Sequence, residues 1–545
     1  MKSKFADTLL INGRFITLEN ENEIAEAVAI ESGKILFVGS AAEALKLVDE
    51  HTEIIDLHGK VAAPGLIESH THPLTSGAER FSRLNLSGEN TTSLKKMLDC
   101  IRDAAANTPK GEWIIAAGYD ESKFEEGSTE INAKVLDAVT CDHPVFITRT
   151  CGHIAVINSK AMEISGLSDQ TEDPESSGHF FRDSDGHLTG MLSGPLAMRM
   201  IPYPPVTMQQ RKNGLVTGVQ REYFKHGVTS TTSMGVRPDG IRNAQEANRE
   251  KNLKLKIGFF VLGNFSSSDE PMSQKVIDIG LLPGFGDDTL RFLGVKFTTD
   301  GSTGGRTAAF SVPYADDPNN YGELYYDQDV LNENILRTAQ AGVQVSIHAI
   351  GDRAIESALQ SIEYANANGV DTSDLRFRIE HLESPTPEQI ERIKKLNILV
   401  SLSSVFIYSL GDSHVSALGY DRLVDAFPAK TLMDKGILVA CNSDCPICPV
   451  NPMIGIYAMV NRMTEKGQSF GGKKESVDRI RALEAYTKNA AYMLWQEDKI
   501  GTLKKGKLAD IVVFEQDFLN VPDEELKDIE ISMTFANGEM VYKKA

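Results

Sequence analysis

Short apolar runs alternate with longer amphipathic stretches through the middle of this chain, and that alternation predicts βα units around a parallel sheet. Eight runs read as strands: 66–70 (LIESH), 228–234 (VTSTTSM), 255–262 (LKIGFFVL), 292–299 (FLGVKFTT), 343–351 (VQVSIHAIG), 376–383 (RFRIEHLE), 398–404 (ILVSLSS) and 437–444 (ILVACNSD). Helical stretches follow several of them. One comes after Gly351, where Asp352 is expected to cap, and another begins near Thr386 and Glu388. Eight parallel strands predict a closed (β/α)8 TIM barrel. The alternative, an open doubly wound sheet, would be supported by a glycine-rich dinucleotide fingerprint after an early strand, and none is present.

The two ends have a different texture. LLINGRFITL (9–18) and AVAIESGKILFVGS (27–40), with Ser32-Gly33-Lys34 as a hairpin turn, read as antiparallel strands. ADIVVF (509–514) and SMTFANGEMVYKK (532–544) read the same way. The expectation is one small β-sandwich built from both termini, 1–64 with 497–545, beside a barrel over 65–496. The stretch 73–226 is too long for a loop and carries its own helix (91–107) and strands (112–119, 144–150). It is expected to be an insertion after the first barrel strand, placed over the active site as a lid or substrate wall, because barrel sites lie at strand C-terminal ends.

Composition narrows the function classes. A net charge of −20 argues against nucleic acid or an anionic membrane as partner and leaves a small-molecule substrate. Six cysteines in 545 residues are too few for a disulfide framework, which fits a cytoplasmic setting. The N-terminal apolar stretch is interrupted by Asn12, Gly13 and Arg14, so no signal-peptide core is expected, and no run is long enough to span a membrane. A homodimer is the commonest closed assembly and stays open here.

Candidate chemistry gathers at the strand ends. His70 and His72, two apart in a strand, point to one side and can converge on one metal. His348 lies near the end of the fifth run, His381 near the end of the sixth, and Asp444 closes the eighth. With only 12 histidines in the chain, four at one rim is a pattern rather than chance.

This order, HxH, Lys, His, His, Asp, resembles the amidohydrolase superfamily. The segments PGLIESHTHP, VKFTTDGSTGGRTAAF, IHAIGDRAI, RIEHLE and NSDCP are similar to amidohydrolase family 3, the branch that includes N-substituted formamide deformylase. The resemblance covers nearly the whole chain. It implies that His70, His72 and Asp444 hold a buried metal, that His348 and His381 hold or face a second position, and that Lys296 is a carboxylated bridging lysine. An ordinary lysine at the strand end, paired with a carboxylate such as Asp300, is the alternative for Lys296. Zinc is the expected cofactor, as one or two ions. The implied reaction is hydrolysis of a non-peptide C–N amide bond by activated water, with Asp444 moving the proton, and an N-substituted formamide or N-acyl amine as substrate. The alternatives are a cyclic amidase or deaminase, or a non-catalytic scaffold; the last is disfavoured because every candidate ligand is retained.

His153 and Arg306 are further candidates for substrate contact, against packing and a surface ion pair respectively. Cys441, Cys445 and Cys448 are expected to pack near the rim, since a thiolate zinc site would want a second cysteine pair. Two departures from the family text, the absence of a Trp after Asp444 and of an acidic residue near Ser193, bear on the substrate rather than on the chemistry.

Overall fold

The computed structural model describes residues 5–20, 23–86, 91–121, 124–127, 129–149, 154–174, 178–264 and 272–544. The chain divides into two compact units, Met1–Thr75 with Val219–Ala545, and Ser76–Gly218.

The first unit contains the barrel. Its strands are β1 (Leu66–Thr71), β2 (Val228–Val236), β3 (Lys256–Asn264), β4 (Leu290–Thr298), β5 (Gln344–Ala349), β6 (Arg378–His381), β7 (Leu399–Leu402) and β8 (Val439–Cys441). They pair in that order and every pairing is parallel. Strands covered on both faces need apolar side chains on both, which is why these segments read as continuous runs. At the seam between β8 and β1, side chains bridge the strands: Ser69 Oγ donates to the Cys441 carbonyl at 2.9 Å, and the Ser443 N–H donates to Glu68 at 2.7 Å. Ile67, Met234, Phe260, Leu293, Leu399 and Ala440 belong to one buried apolar cluster. The candidate ligand residues lie at or beyond the strand ends.

Helix starts follow local chemistry. Thr386 and Gln389 form a reciprocal capping box on helix Pro387–Lys395. The expectation that Asp352 caps its helix is corrected: Gly351 is the N-cap, and the Asp352 carboxylate accepts the Ser311 N–H at 2.9 Å, tying down the loop after β4.

Both chain ends build the sandwich. One sheet orders Lys34–Gly39, Ala27–Glu31, Thr8–Ile11 and Glu53–Asp56; the other includes Arg14–Ile16, Val61–Pro64, Ile511–Phe514, Ile531–Ala536 and Glu539–Lys543. Leu10, Val28 and Ile35 from the first pack on Phe15, Val513 and Phe535 from the second. The hairpin turn lies at Ser32-Gly33, both at positive φ as a tight type I′ turn requires. A buried ion pair, Lys256 Nζ to Asp510 Oδ1 at 2.8 Å, links the start of β3 to the C-terminal segment of the sandwich.

The second unit holds a six-stranded sheet running from His179–Arg182 through Leu188–Ser193, Ile154–Ile157, Val145–Arg149 and Ile114–Tyr119 to Leu84–Asn85. Helix Leu94–Asn107, capped by Ser93, contributes Met97 and Ile101 to its core. Among the described residues no helix is long and apolar enough to cross a membrane.

Candidate metal centre

β1 carries His70 in its last turn of pleat and His72 just past its end, so the two imidazoles project to the same side. Asp444 lies three residues beyond β8, at φ 54°, and His381 ends β6 at φ 71°. Non-glycine residues in the left-handed region cost about 1–3 kcal/mol each, and here the cost is spent on re-aiming two side chains toward His70. Nitrogen and oxygen atoms of His70, His381 and Asp444 all lie within 4.8 Å of one another, and all three residues are buried. The His70 and His381 ring centres are 4.8 Å apart, and His348 lies 4.4 Å from His381.

The tautomers decide what this cluster can hold. His70 Nδ1 meets Glu380 Oε2 at 2.7 Å, and His72 Nδ1 meets the Met234 carbonyl at 3.1 Å. A carbonyl or carboxylate only accepts, so both Nδ1 atoms carry the proton and both Nε2 atoms present lone pairs. Those lone pairs face Asp444 Oδ1, at 3.3 Å from His70 and 3.0 Å from His72. Burial pushes the His70 pKa down to about 4, so a second proton on that ring is disfavoured at neutral pH. Burial pushes the Asp444 carboxyl up, but nearby positive charge, from His70 and His72 when protonated and from Lys296, leaves the net shift below its ordinary value. Three acceptors turned on one another in a buried site fit a cation between them.

A second layer, not anticipated from the sequence, holds His70 in place. Burial alone would raise the Glu380 carboxyl, yet Arg378, with Nε 2.5 Å away, and His70 hold it well below the usual carboxylate range. Ser346 Oγ donates to Glu380 at 2.7 Å, and Arg378 also donates to the Ser69 carbonyl at 2.6 Å. A carboxylate on the far nitrogen of a ligand histidine fixes ring orientation and raises basicity. The alternation R-I-E-H places Arg378 and Glu380 on one face of β6; only barrel closure makes that face interior.

Lys296 is buried on β4, and its Nζ has no hydrogen-bond partner among the described residues. The pairing with Asp300 is not formed: both Asp300 oxygens are taken by the backbone N–H groups of Ala309, Ile350 and Gly351, at 2.9, 3.1 and 2.9 Å. Burial pushes the Lys296 pKa down to about 8, even with Glu380 and Asp444 nearby. His348 sends Nε2 to the Gly301 carbonyl at 2.8 Å and stays outside the tight triad.

Other candidates fall elsewhere. Arg306 is engaged by Asp316 at 2.5 Å, the Gly304 carbonyl at 2.7 Å and Ser413 at 3.4 Å, the ion-pair arrangement rather than a place in the cluster. His153 lies outside the described residues. Cys441, Cys445 and Cys448 are buried and outside any disulfide among the described residues; burial pushes the Cys441 thiol up to about 12 and raises the Cys448 thiol as well, so those two pack as thiols. A second buried pair also went unforeseen: Glu383 accepts from Thr303 Oγ1 at 2.6 Å and lies 3.1 Å from His414 Nε2.

The chain is similar to known proteins along most of its length. The sequence profile of the amidohydrolase family matches residues 53–542. The chain is 30% identical to the putative amidohydrolase YtcJ of Bacillus subtilis (strain 168), over 98% of this chain and 99% of that protein. It is 23% identical to N-substituted formamide deformylase of Arthrobacter pascens, over 99% of each. Among solved structures, an uncharacterized metal-dependent hydrolase from Pyrococcus furiosus superposes with a TM-score of 0.74 at 28% identity, covering 94% of this chain and all 100% of the other.

Proposed function

The chain belongs to the amidohydrolase family, and within it we propose a zinc-dependent hydrolase of a non-peptide C–N bond, acting on linear N-formyl or N-acyl amines. The observation that carries the reading is the convergence of lone pairs from His70 and His72 on Asp444, with His381 alongside. These residues would hold the ion, and a divalent metal there supplies Lewis acidity and makes hydroxide available at neutral pH.

The chain's own residues perform the rest. Asp444 is an anion at the centre of the cluster, so it can take the proton from the attacking water and return it to the departing amine nitrogen. The acyl carbon gains the hydroxyl, the C–N bond breaks, and acid and free amine leave. Lys296 supports a second cation position: its amine is buried without a hydrogen-bond partner among the described residues, burial lowers its pKa to about 8 and so raises the fraction of neutral amine that can attack CO₂, and the carbamate formed with loss of a proton would be an anionic ligand. The N-acyl choice is supported by the end-to-end likeness to a protein described as N-substituted formamide deformylase. Ile447, exposed and bonded through its N–H to the Asp444 carbonyl at 2.9 Å, offers an apolar surface suited to a hydrophobic N-substituent.

The test is amine release by zinc-loaded protein from a panel of N-formyl, N-acetyl and longer N-acyl amines, cyclic ureas and aminated heterocycles. Turnover of the linear amides is expected. Turnover confined to cyclic or heterocyclic compounds would overturn the substrate assignment while leaving the metal chemistry in place.

A further inference from the structure

His381 is the one member of the triad whose ligand nitrogen is not fixed by a group that can only accept. Its Nδ1 lies 2.7 Å from the Ser403 hydroxyl, which could donate or accept. The direction is nevertheless determined, from the far end of a chain of hydrogen bonds that crosses β7, β8 and β1. The Cys441 carbonyl can only accept, so the Ser69 hydroxyl spends its one proton there, at 2.9 Å. Ser69 must then accept from Ser401, 2.7 Å away. Having spent its own proton, Ser401 accepts from the Asn442 amide nitrogen at 2.9 Å. That sets the orientation of the Asn442 side chain and turns its oxygen to Ser403, which donates to it at 2.9 Å. Ser403 has no proton left, so His381 Nδ1 must carry one, and its Nε2 lone pair is free for the cluster. Every member is buried, so water does not compete for any of these bonds.

We propose that Ser403 and Asn442 are positioning residues for the metal centre: the relay anchored on the Cys441 carbonyl selects the His381 tautomer that offers Nε2 to the cation. The inference rests on the metal reading above. It also explains why the rim is coupled to barrel closure, since Ser69 and Asn442 come from the strand and the strand end on the two sides of the seam, with Ser401 on β7 linking them to Ser403. Phe406, whose ring stacks on His381 at 16° and 5.9 Å, restrains the ring plane but not the tautomer.

The experiment compares wild type with Ser403→Ala, Ser403→Thr and Asn442→Ala. Zinc affinity is measured by chelator competition, the His381 tautomer by the ¹⁵N resonances of histidine-labelled protein, and folding by circular dichroism. In wild type the His381 Nδ1 should show as the protonated nitrogen. Ser403→Ala should weaken zinc about 10–100-fold, the usual effect of losing the partner behind a ligand histidine, and Ser403→Thr should recover most of that loss. Asn442→Ala keeps the hydroxyl but frees its proton, so zinc should weaken there too, with both His381 tautomers present. Wild type that binds zinc while both alanine variants bind it equally well, or a protonated His381 Nε2 in wild type, overturns the relay alone. Wild type that binds no zinc overturns the metal reading and the relay together. Should Ser403→Ala fail to fold, Asn442→Ala and the wild-type resonances still decide.

Discussion

Asp444 meets two imidazole nitrogens that can offer it only lone pairs, and this makes it the most informative residue to change. Asp444→Asn preserves shape but removes the anion, and both the cation site and the proton carrier lose their charge. Amine release should fall about 10²–10⁴-fold on the proton-transfer role alone, with a nearly unchanged circular dichroism spectrum. Wild-type turnover in that variant would take Asp444 out of the chemistry. Lys296 gives an opposite kind of test. A buried polar group without a partner costs about 1–3 kcal/mol, and Lys296 Nζ has none among the described residues, so Lys296→Met should make the metal-free protein more resistant to heat. If Lys296 is a ligand, the same variant should hold fewer ions per chain by elemental analysis; unchanged metal content would remove it from the ligand set. The histidines and Asp444 are legible in the sequence because metal ligands are rare residue types recurring at strand ends. Glu380 and Arg378 are not, because two charges in an otherwise apolar strand look like a solvated face until closure buries them. Asp300 lies four residues from Lys296 in sequence, but backbone N–H groups occupy both of its oxygens.

At the scale of elements, all eight strand runs correspond to barrel strands, but several runs extend past the ladder, as 437–444 does against Val439–Cys441 and 376–383 against Arg378–His381. The overshoot has a physical origin: residues that leave the ladder to reach the site stay buried and apolar in flavour, so hydropathy cannot see where pairing stops. Helix Gly411–Leu418 shows what such an end can carry. Its His414 is buried against Glu383, two residues beyond the end of β6. Burial would lower the His414 pKa, but the Glu383 charge and hydrogen bond outweigh it and the net shift is upward. A histidine whose folded pKa is raised contributes stability that is full below its ordinary value near 6.5 and is lost as pH rises through the folded value. The melting temperature should therefore decline as pH climbs from about 6.5, and His414→Asn should flatten that decline. Parallel curves for the two proteins would show that the pair contributes no pH dependence. No periodicity signals this contact, since it joins Glu383 in a loop end to a helix that starts later in the chain, at Gly411, in a different βα unit.

For the whole molecule, the return of antiparallel texture at the C-terminus foretold a sandwich built from both ends, and the eightfold alternation foretold the barrel. Metal identity, substrate and subunit number leave no such periodic trace. What the architecture does dictate is where metal should act. Every described candidate ligand belongs to the unit formed by Met1–Thr75 with Val219–Ala545, and none to Ser76–Gly218. An ion that binds only the folded barrel stabilises it by mass action, about 4 kcal/mol at a thousandfold excess over its dissociation constant. The second unit has its own buried core and its own sheet, so it has no direct share in that gain. Calorimetry of chelator-stripped protein, repeated after zinc addition, should show one transition rising by several degrees and another staying in place. Hydrogen exchange should assign the rise to the strand ends around residues 70–72, 381 and 442–444, where metal-free protein leaves lone pairs facing one another. If zinc moves no transition, the converging acceptors are not a cation site. If it protects Ser76–Gly218 as strongly as the barrel, the binding energy is shared across both units and the ligand set must extend into the second.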